Sequence, residues 1–250
     1  FAHLGNIIYF CRNITKNYKI IKKYLLFMLA FLPMALFTSC SSDEDSGNNL
    51  KLDKSELVLY HDGTHTLKVL GNSDRLSFKS ENPMVASVDE YGKITGNCIG
   101  NTTILTSSGN YLLKCKVKVI PMITYIPEPY LDFGETYNIV KDVVTKENPN
   151  TIISVRETDN SIVLKRKADN AQFLYAYNFE NGTLKSSMIF LETTQYPKSG
   201  KSLLEFISER YFPVTKISST EYGFMSPDKK IAVIVANDNG LLSVYFTPRK

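Results

Sequence analysis

The sequence predicts an all-β antiparallel sandwich followed by an α+β domain. Three observations carry this. Between residues 50 and 120, short alternating apolar segments recur between turn residues, with no helical period. Past Pro121, a segment of helical period is followed by alternating strands, and that order then occurs a second time. Ahead of both, residues 1–49 run from basic to apolar to small and acidic, the succession of a targeting segment rather than of a core.

The N-terminal segment is read first because it changes the rest. Lys22-Lys23 lead into Tyr24–Phe37, 14 apolar residues interrupted by Pro33. A spanning helix needs about 20, and an internal proline weakens it further. Phe37-Thr38-Ser39-Cys40 resembles the lipobox of bacterial lipoproteins, with Phe37 where leucine is usual. The resemblance implies cleavage before Cys40 and lipid attachment to it. A membrane anchor with a chance cysteine is the alternative. Ser41-Ser42-Asp43-Glu44-Asp45 resembles the surface-export tag of Bacteroides-like lipoproteins, which implies the outer membrane, with display at the cell surface favoured over the periplasmic face. Phe1–Lys19 looks like an over-extended start or a long basic leader, and Cys11 goes with it. The expected organisation is leader and signal over 1–39, lipid-anchored linker over 40–49, sandwich over 50–120 and α+β domain over 121–250.

Charge follows from that reading. The whole chain carries 29 Lys+Arg against 25 Asp+Glu, a net of +4. Arg12, Lys16, Lys19, Lys22 and Lys23 lie before Cys40 and no acidic residue does. Without them, 24 basic side chains face 25 acidic ones, and a nucleic-acid partner loses its compositional support.

In the sandwich, residues 57–59, 66–69, 75–79, 85–88, 102–106 and 113–120 read as strands. Asp62-Gly63, Gly71-Asn72, Glu81-Asn82-Pro83, Tyr91-Gly92 and Ser108-Gly109-Asn110 are the turns between them. Asn82–Asp89, Gly92-Lys93-Ile94-Thr95-Gly96 and Gly100–Ile104 resemble the bacterial immunoglobulin-like domain, group 2. That implies an immunoglobulin-like sandwich of scaffold character, with Phe78 where many members carry Trp. Gly92 is expected at a positive φ. Cys115, Val117 and Val119 share an inward face, and Lys114, Lys116 and Lys118 the outward one. Cys98 and Cys115 either bond, which would stabilise by roughly 2–4 kcal/mol, or remain two separate thiols. His61 and His65 flank a turn and are read as solvated rather than as metal ligands.

The second domain opens at Pro121 and Ile126-Pro127-Glu128-Pro129-Tyr130. A helix over 136–144 precedes strands at 152–157, 161–166, 172–179 and 183–191. A second helix over 199–212, with Ser199 as its cap, precedes strands at 222–225, 230–236 and 241–247. Asn181-Gly182 and Asn239-Gly240 are hairpin turns. The duplicated helix and antiparallel meander resemble β-lactamase-inhibitor-protein-like folds, whose members mostly bind other proteins.

The residues offer little chemistry. Lys198–Ser202 ends like a phosphate loop but has Gln195 where the leading glycine belongs. Asp132-Phe133-Gly134 stands without the rest of a kinase, and Asn237–Gly240 is too short for a calcium loop. His61 and His65, the two histidines past Cys40, lie in the scaffold, away from any serine or cysteine triad. Glu128, Asp132 and Glu135 near Tyr130 are a carboxylate group of the kind a glycosidase uses, and more simply a polar helix start. The expectation is therefore no enzyme, no metal and no cofactor. Tyrosine is in excess, and Tyr175, Tyr177 and Tyr222 are the candidate ligand contacts, with sheet packing as the alternative for each. The functional expectation is a lipid-anchored envelope protein. In it the immunoglobulin-like domain spaces, the C-terminal domain binds a protein, and glycan binding in a polysaccharide-uptake system is the alternative.

Overall fold

A computed structural model describes residues 50–71 and 75–249; Cys40 and the N-terminal segment lie outside the described residues. Asn48–Lys250 form one compact unit.

The first half is an immunoglobulin-like pair of sheets. Strands β2 (Glu56–Tyr60), β5 (Leu76–Ser80), β8 (Gly100–Ser108) and β9 (Tyr111–Ile120) form one sheet in the order β2-β9-β8-β5. Strands β3 (Thr64–Thr66), β6 (Ala86–Val88) and β7 (Lys93–Gly96) form a second in the order β3-β7-β6. Short strands β1 (Lys51–Leu52) and β4 (Val69–Leu70) pair beside them. One pairing departs from the antiparallel expectation: β2 runs parallel to β9, with Glu56 opposite Lys116. The chain enters along β2 and returns through β9 in the same direction, so the two run parallel as sheet neighbours.

Alternation along these strands builds the core. Leu59, Leu67, Val85, Ala86, Ile94, Ile104, Cys115, Val117 and Val119 are buried together, with Phe78 partly buried against them. Lys114, Lys116 and Lys118 point outward, as the period of two requires. Gly92 has φ +80, and a Cβ there would lie 2.9 Å from Phe78 Cζ and 3.0 Å from the Leu67 carbonyl oxygen. The aromatic ring, not conformation alone, selects glycine.

The second half is one eight-stranded antiparallel sheet with two helices packed on the same core. Helix α1 (Tyr137–Lys146) precedes β10 (Ile152–Thr158), β11 (Ser161–Ala168), β12 (Ala171–Glu180) and β13 (Thr183–Glu192). Helix α2 (Pro197–Arg210) precedes β14 (Phe212–Lys216), β15 (Glu221–Met225), β16 (Ile231–Asp238) and β17 (Leu241–Pro248). The order β10-β11-β12-β13-β17-β16-β15-β14 joins two meanders through their last strands. The expected duplication is thus a single sheet. Asn181-Gly182 (φ 52 and 73) and Asn239-Gly240 (φ 48 and 86) close the two equivalent hairpins. Left-handed backbone at both positions matches the right-handed twist of the strands.

Val140 and Val144 of α1, and Leu203, Phe206 and Ile207 of α2, meet Leu164, Phe173, Tyr175, Tyr177, Ile189, Val235, Val244 and Phe246 in one core. Buried Arg166 of β11 closes the end of α1 by donating to the carbonyl oxygens of Val144 (2.5 Å) and Glu147 (3.0 Å). A cation is favoured at this end of a helix. Two boundaries differ from expectation. Ser199 lies inside α2, which starts at Pro197 without a side-chain cap, because a proline's fixed φ suits the first turn. Phe212 opens β14 rather than ending the helix, since Pro213 disfavours helical backbone before it.

Gly92→Ala should destabilise by about 1–3 kcal/mol, adding the Phe78 clash to backbone strain. Gly182→Ala, with open space around its Cβ, should cost nearer to about 1 kcal/mol. Denaturant titration of both variants checks the order.

Candidate functional site

Buried paired charge and long-range hydrogen bonds concentrate where β9 leaves the sandwich and α2 ends. Glu209 and Arg210 are the last residues of α2, and their side chains are 3% and 7% exposed. The Glu209 carboxylate accepts from the backbone N–H of Met122 (3.1 Å) and of Ile123 (3.1 Å to Oε2). Arg210 donates to Glu209 Oε2 (3.2 Å), to the carbonyl oxygens of Phe206 (3.2 Å) and Ile123 (3.0 Å), and to Glu128. Its guanidinium lies 3.7 Å from the centre of the Phe206 ring. The Glu209 carbonyl in turn accepts from Ile99 N–H at 2.6 Å. One helix end therefore grips both the connection after β9 and the loop before β8. Asn82 Nδ2 adds a second fastening, donating to the Pro227 carbonyl at 3.2 Å.

Two clefts lie beside these fastenings. One, of about 270 Å³, is lined by His61, Asp62, Asn97, Cys98, Ser208, Phe212, Pro213 and Phe224. The other, of about 290 Å³, runs between Glu81–Met84 and Pro227–Lys229. His61 is not the solvated turn residue expected. It is half-buried, its Nδ1 meets the Asn97 carbonyl, and Asp62 lies 3.6 Å from Nε2. His65 stands 3.6 Å from Asp53. Among the described residues, no three of His, Cys, Asp and Glu converge as metal ligands.

Among the described residues, Cys98 and Cys115 are free, buried thiols. Cys98 borders the first cleft, and burial pushes its thiol up to about 12. Cys115 sits inward on β9, its thiol also raised by burial and by Asp53 and Glu56. A neutral thiol is a poor nucleophile.

The tyrosine candidates separate. Tyr175 and Tyr177 are wholly inside the second core, so the packing takes both from any ligand surface. Tyr175 donates to the Pro127 carbonyl at 2.9 Å, and the Tyr177 hydroxyl accepts from Tyr130 N–H at 3.5 Å. Both rings seat the 127–130 run rather than a ligand. Tyr222, on β15, is 44% exposed, with Lys216 Nζ 5.7 Å from its ring centre. The carboxylate group also separates: Glu128 pairs with Arg210, while Asp132 and Glu135 lie along the turn that binds the β12–β13 hairpin. No feature of the sequence singled out Glu209, whose main-chain partners lie 86 and 87 residues away.

Residues 62–110 match the model of the intimin immunoglobulin-like domain, which supports a bacterial immunoglobulin-like domain there. Among solved structures the chain is similar to intimin in its complex with Tir90. That likeness has 23% identity and TM-score 0.26, and covers 38% of this chain and 57% of that one. An intimin mutant of EHEC O157:H7 is similar at 19% identity and TM-score 0.27, covering 48% of this chain and 86% of that one. Domains 5–6 of the S-layer protein SbsC are similar at 15% identity and TM-score 0.26, covering 81% and 86%. The chain thus spans little more than half of the intimin chain in the Tir90 complex. No curated protein matches the chain.

Arg210→Met should cost about 3–5 kcal/mol of unfolding free energy, because it strands Glu209 in the interior. Lys116→Met, which breaks an exposed pair with Glu56, should change stability little. Equilibrium denaturation compares them.

In the chain from Asn48 onward, Cys98 and Cys115 should react with a thiol reagent only after unfolding, and without added reductant. Alkaline stability draws on groups whose folded values rise, among them Cys98 and Tyr177, both pushed up to about 12 by burial, with Tyr175 and Tyr211 raised by burial as well. Their contribution is complete below the unfolded values of about 8.5 and 10 and is lost as pH climbs toward 12. Melting temperature followed with phenolate absorbance should fall across that window.

Proposed function

We propose that this chain is a lipid-anchored binding protein of the bacterial cell envelope, without enzymatic activity. Cys40 carries the lipid and residues 41–49 form the tether. The immunoglobulin-like sandwich over 50–120 acts as a spacer, and residues 121–250 bind a protein partner. The observation that carries this reading is the match of residues 62–110 to the intimin immunoglobulin-like domain. Intimin in its complex with Tir90 is a protein bound to a protein. The Phe37-Thr38-Ser39-Cys40 run supports a lipoprotein, and Ser41-Ser42-Asp43-Glu44-Asp45 supports an outer-membrane location of Bacteroides type, with surface display favoured. Among the described residues, no helix is long and apolar enough to cross a membrane.

The grip of Glu209 and Arg210 on the linker after β9 supports the spacer role. A binding domain fastened to its spacer presents one orientation to a partner, so less freedom is lost on association. A glycan-binding accessory role in polysaccharide uptake is the second reading, and exposed Tyr222 favours it, an aromatic face being what a sugar ring stacks on.

In the expressing bacterium, Cys40→Ala should abolish labelling with a palmitate analogue and release the chain from membranes. Persistent labelling in that variant would remove the anchor from the proposal. For the partner, crosslinking of the full chain at the envelope should capture one discrete protein. Glycan-array binding lost in Tyr222→Ala would instead favour the sugar.

A further inference from the structure

The outward face of the β2-β9-β8-β5 sheet has a composition that scaffolding does not require. Lys114, Lys116 and Lys118 alternate along β9, and Lys79 of β5 lies in the row of Leu105 and Lys114. Alternate residues on a strand stand roughly 7 Å apart, so the β9 ammonium groups form a ladder whose members repel one another. Around them the same face exposes apolar side chains: Val58 is 60% exposed, Tyr60 54% and Leu112 57%. Two carboxylates approach. Glu56 pairs with Lys116 at 3.3 Å, and Glu81, just past β5, lines the cleft shared with Lys229.

We propose that this face lies on an anionic lipid surface, the lysines meeting phosphate headgroups and Leu112, Val58 and Tyr60 entering the boundary beneath them. Charge complementarity and composition together select this occupant. Basic side chains interleaved with exposed apolar ones suit an interface that is anionic above and hydrocarbon below. A polysaccharide could satisfy the lysines and stack on Tyr60 but would leave Val58 and Leu112 without a partner. The chain path agrees. The chain enters the unit at Leu50, and by Ser55 its carbonyl already accepts from Lys116 N–H at 2.8 Å. The nine residues between Cys40 and Leu50 can reach no more than roughly 30 Å, so an anchor at Cys40 would keep this unit near the bilayer. That last step rests on the reading of Cys40 as the anchor; the surface itself does not.

The test uses residues 48–250, which contain both cores and every described strand ladder and lack Cys40. Co-flotation with phosphatidylcholine vesicles containing phosphatidylglycerol should show binding that weakens with salt, and pure phosphatidylcholine vesicles should bind far less. Each of Lys114→Gln, Lys116→Gln and Lys118→Gln should weaken binding about fivefold, and the triple variant about 100-fold. Leu112→Ser should leave the salt dependence intact and lower the binding that persists in high salt. Unchanged circular dichroism establishes that the variants are folded. Equal binding by the triple variant, or none by the unmodified chain, would overturn the proposal. Binding to polygalacturonate with no vesicle binding would overturn it in favour of a polysaccharide. Because the fragment lacks Cys40, a negative result leaves the anchor untouched, and palmitate labelling of the full chain judges that separately.

Discussion

A buried carboxylate at the end of a helix holds this molecule together. Glu209 sits out of water, where an unpaired charge would cost several kcal/mol. Its compensation comes from two consecutive backbone N–H groups, Met122 and Ile123, and from Arg210. The two N–H donors belong to a distant segment that must be in place before the charge is tolerable, while Arg210 is the next residue on the same helix. The linker after β9 cannot swing away without exposing both N–H groups and stranding the carboxylate. Arg210 extends the same logic by holding the Ile123 carbonyl and Glu128. The net worth of such a cluster against a hydrophobic alternative is small, but the penalty for half of it is large. Its effect is to select one arrangement.

That arrangement positions the rest of the surface. The Ile99–Glu209 and Asn82–Pro227 bonds clamp the sandwich against the α2–β14 side of the large sheet, and the two clefts lie beside these clamps. Tyr175 and Tyr177 do comparable work from below, receiving Pro127 and Tyr130 with their hydroxyls while their rings fill the core. The tyrosine excess therefore supports a junction more than a binding platform. Tyr222 and the lysine face stand apart from this interior.

Much of the fold was legible because its signals are local. Alternation placed Cys115 inward and Lys114, Lys116 and Lys118 outward. Asn-Gly pairs at 181–182 and 239–240 marked two hairpins, because left-handed backbone is a property of those residues themselves. The candidate site was far less legible. The alternation of Tyr175, Ala176 and Tyr177 gives both rings one face, and does not say whether that face looks at solvent or at α1 and α2. Glu209 ends an ordinary amphipathic helix and resembles any surface glutamate until the linker is laid over it. His61 is a turn residue by sequence and a cleft wall by contact.

By itself, the sequence determined the two-part architecture, the strand parity, the hairpin turns and the immunoglobulin-like character of the first half. Each follows from residues close together in the chain. Tertiary structure alone decided the parallel pairing of β2 with β9, the merging of two meanders into one sheet, and the burial of Tyr175 and Tyr177. It also decided the fastening of linker, loop and helix end by Glu209 and Arg210. The reason is physical: burial and charge compensation depend on what arrives from 80 or more residues away, and no local pattern encodes that arrival.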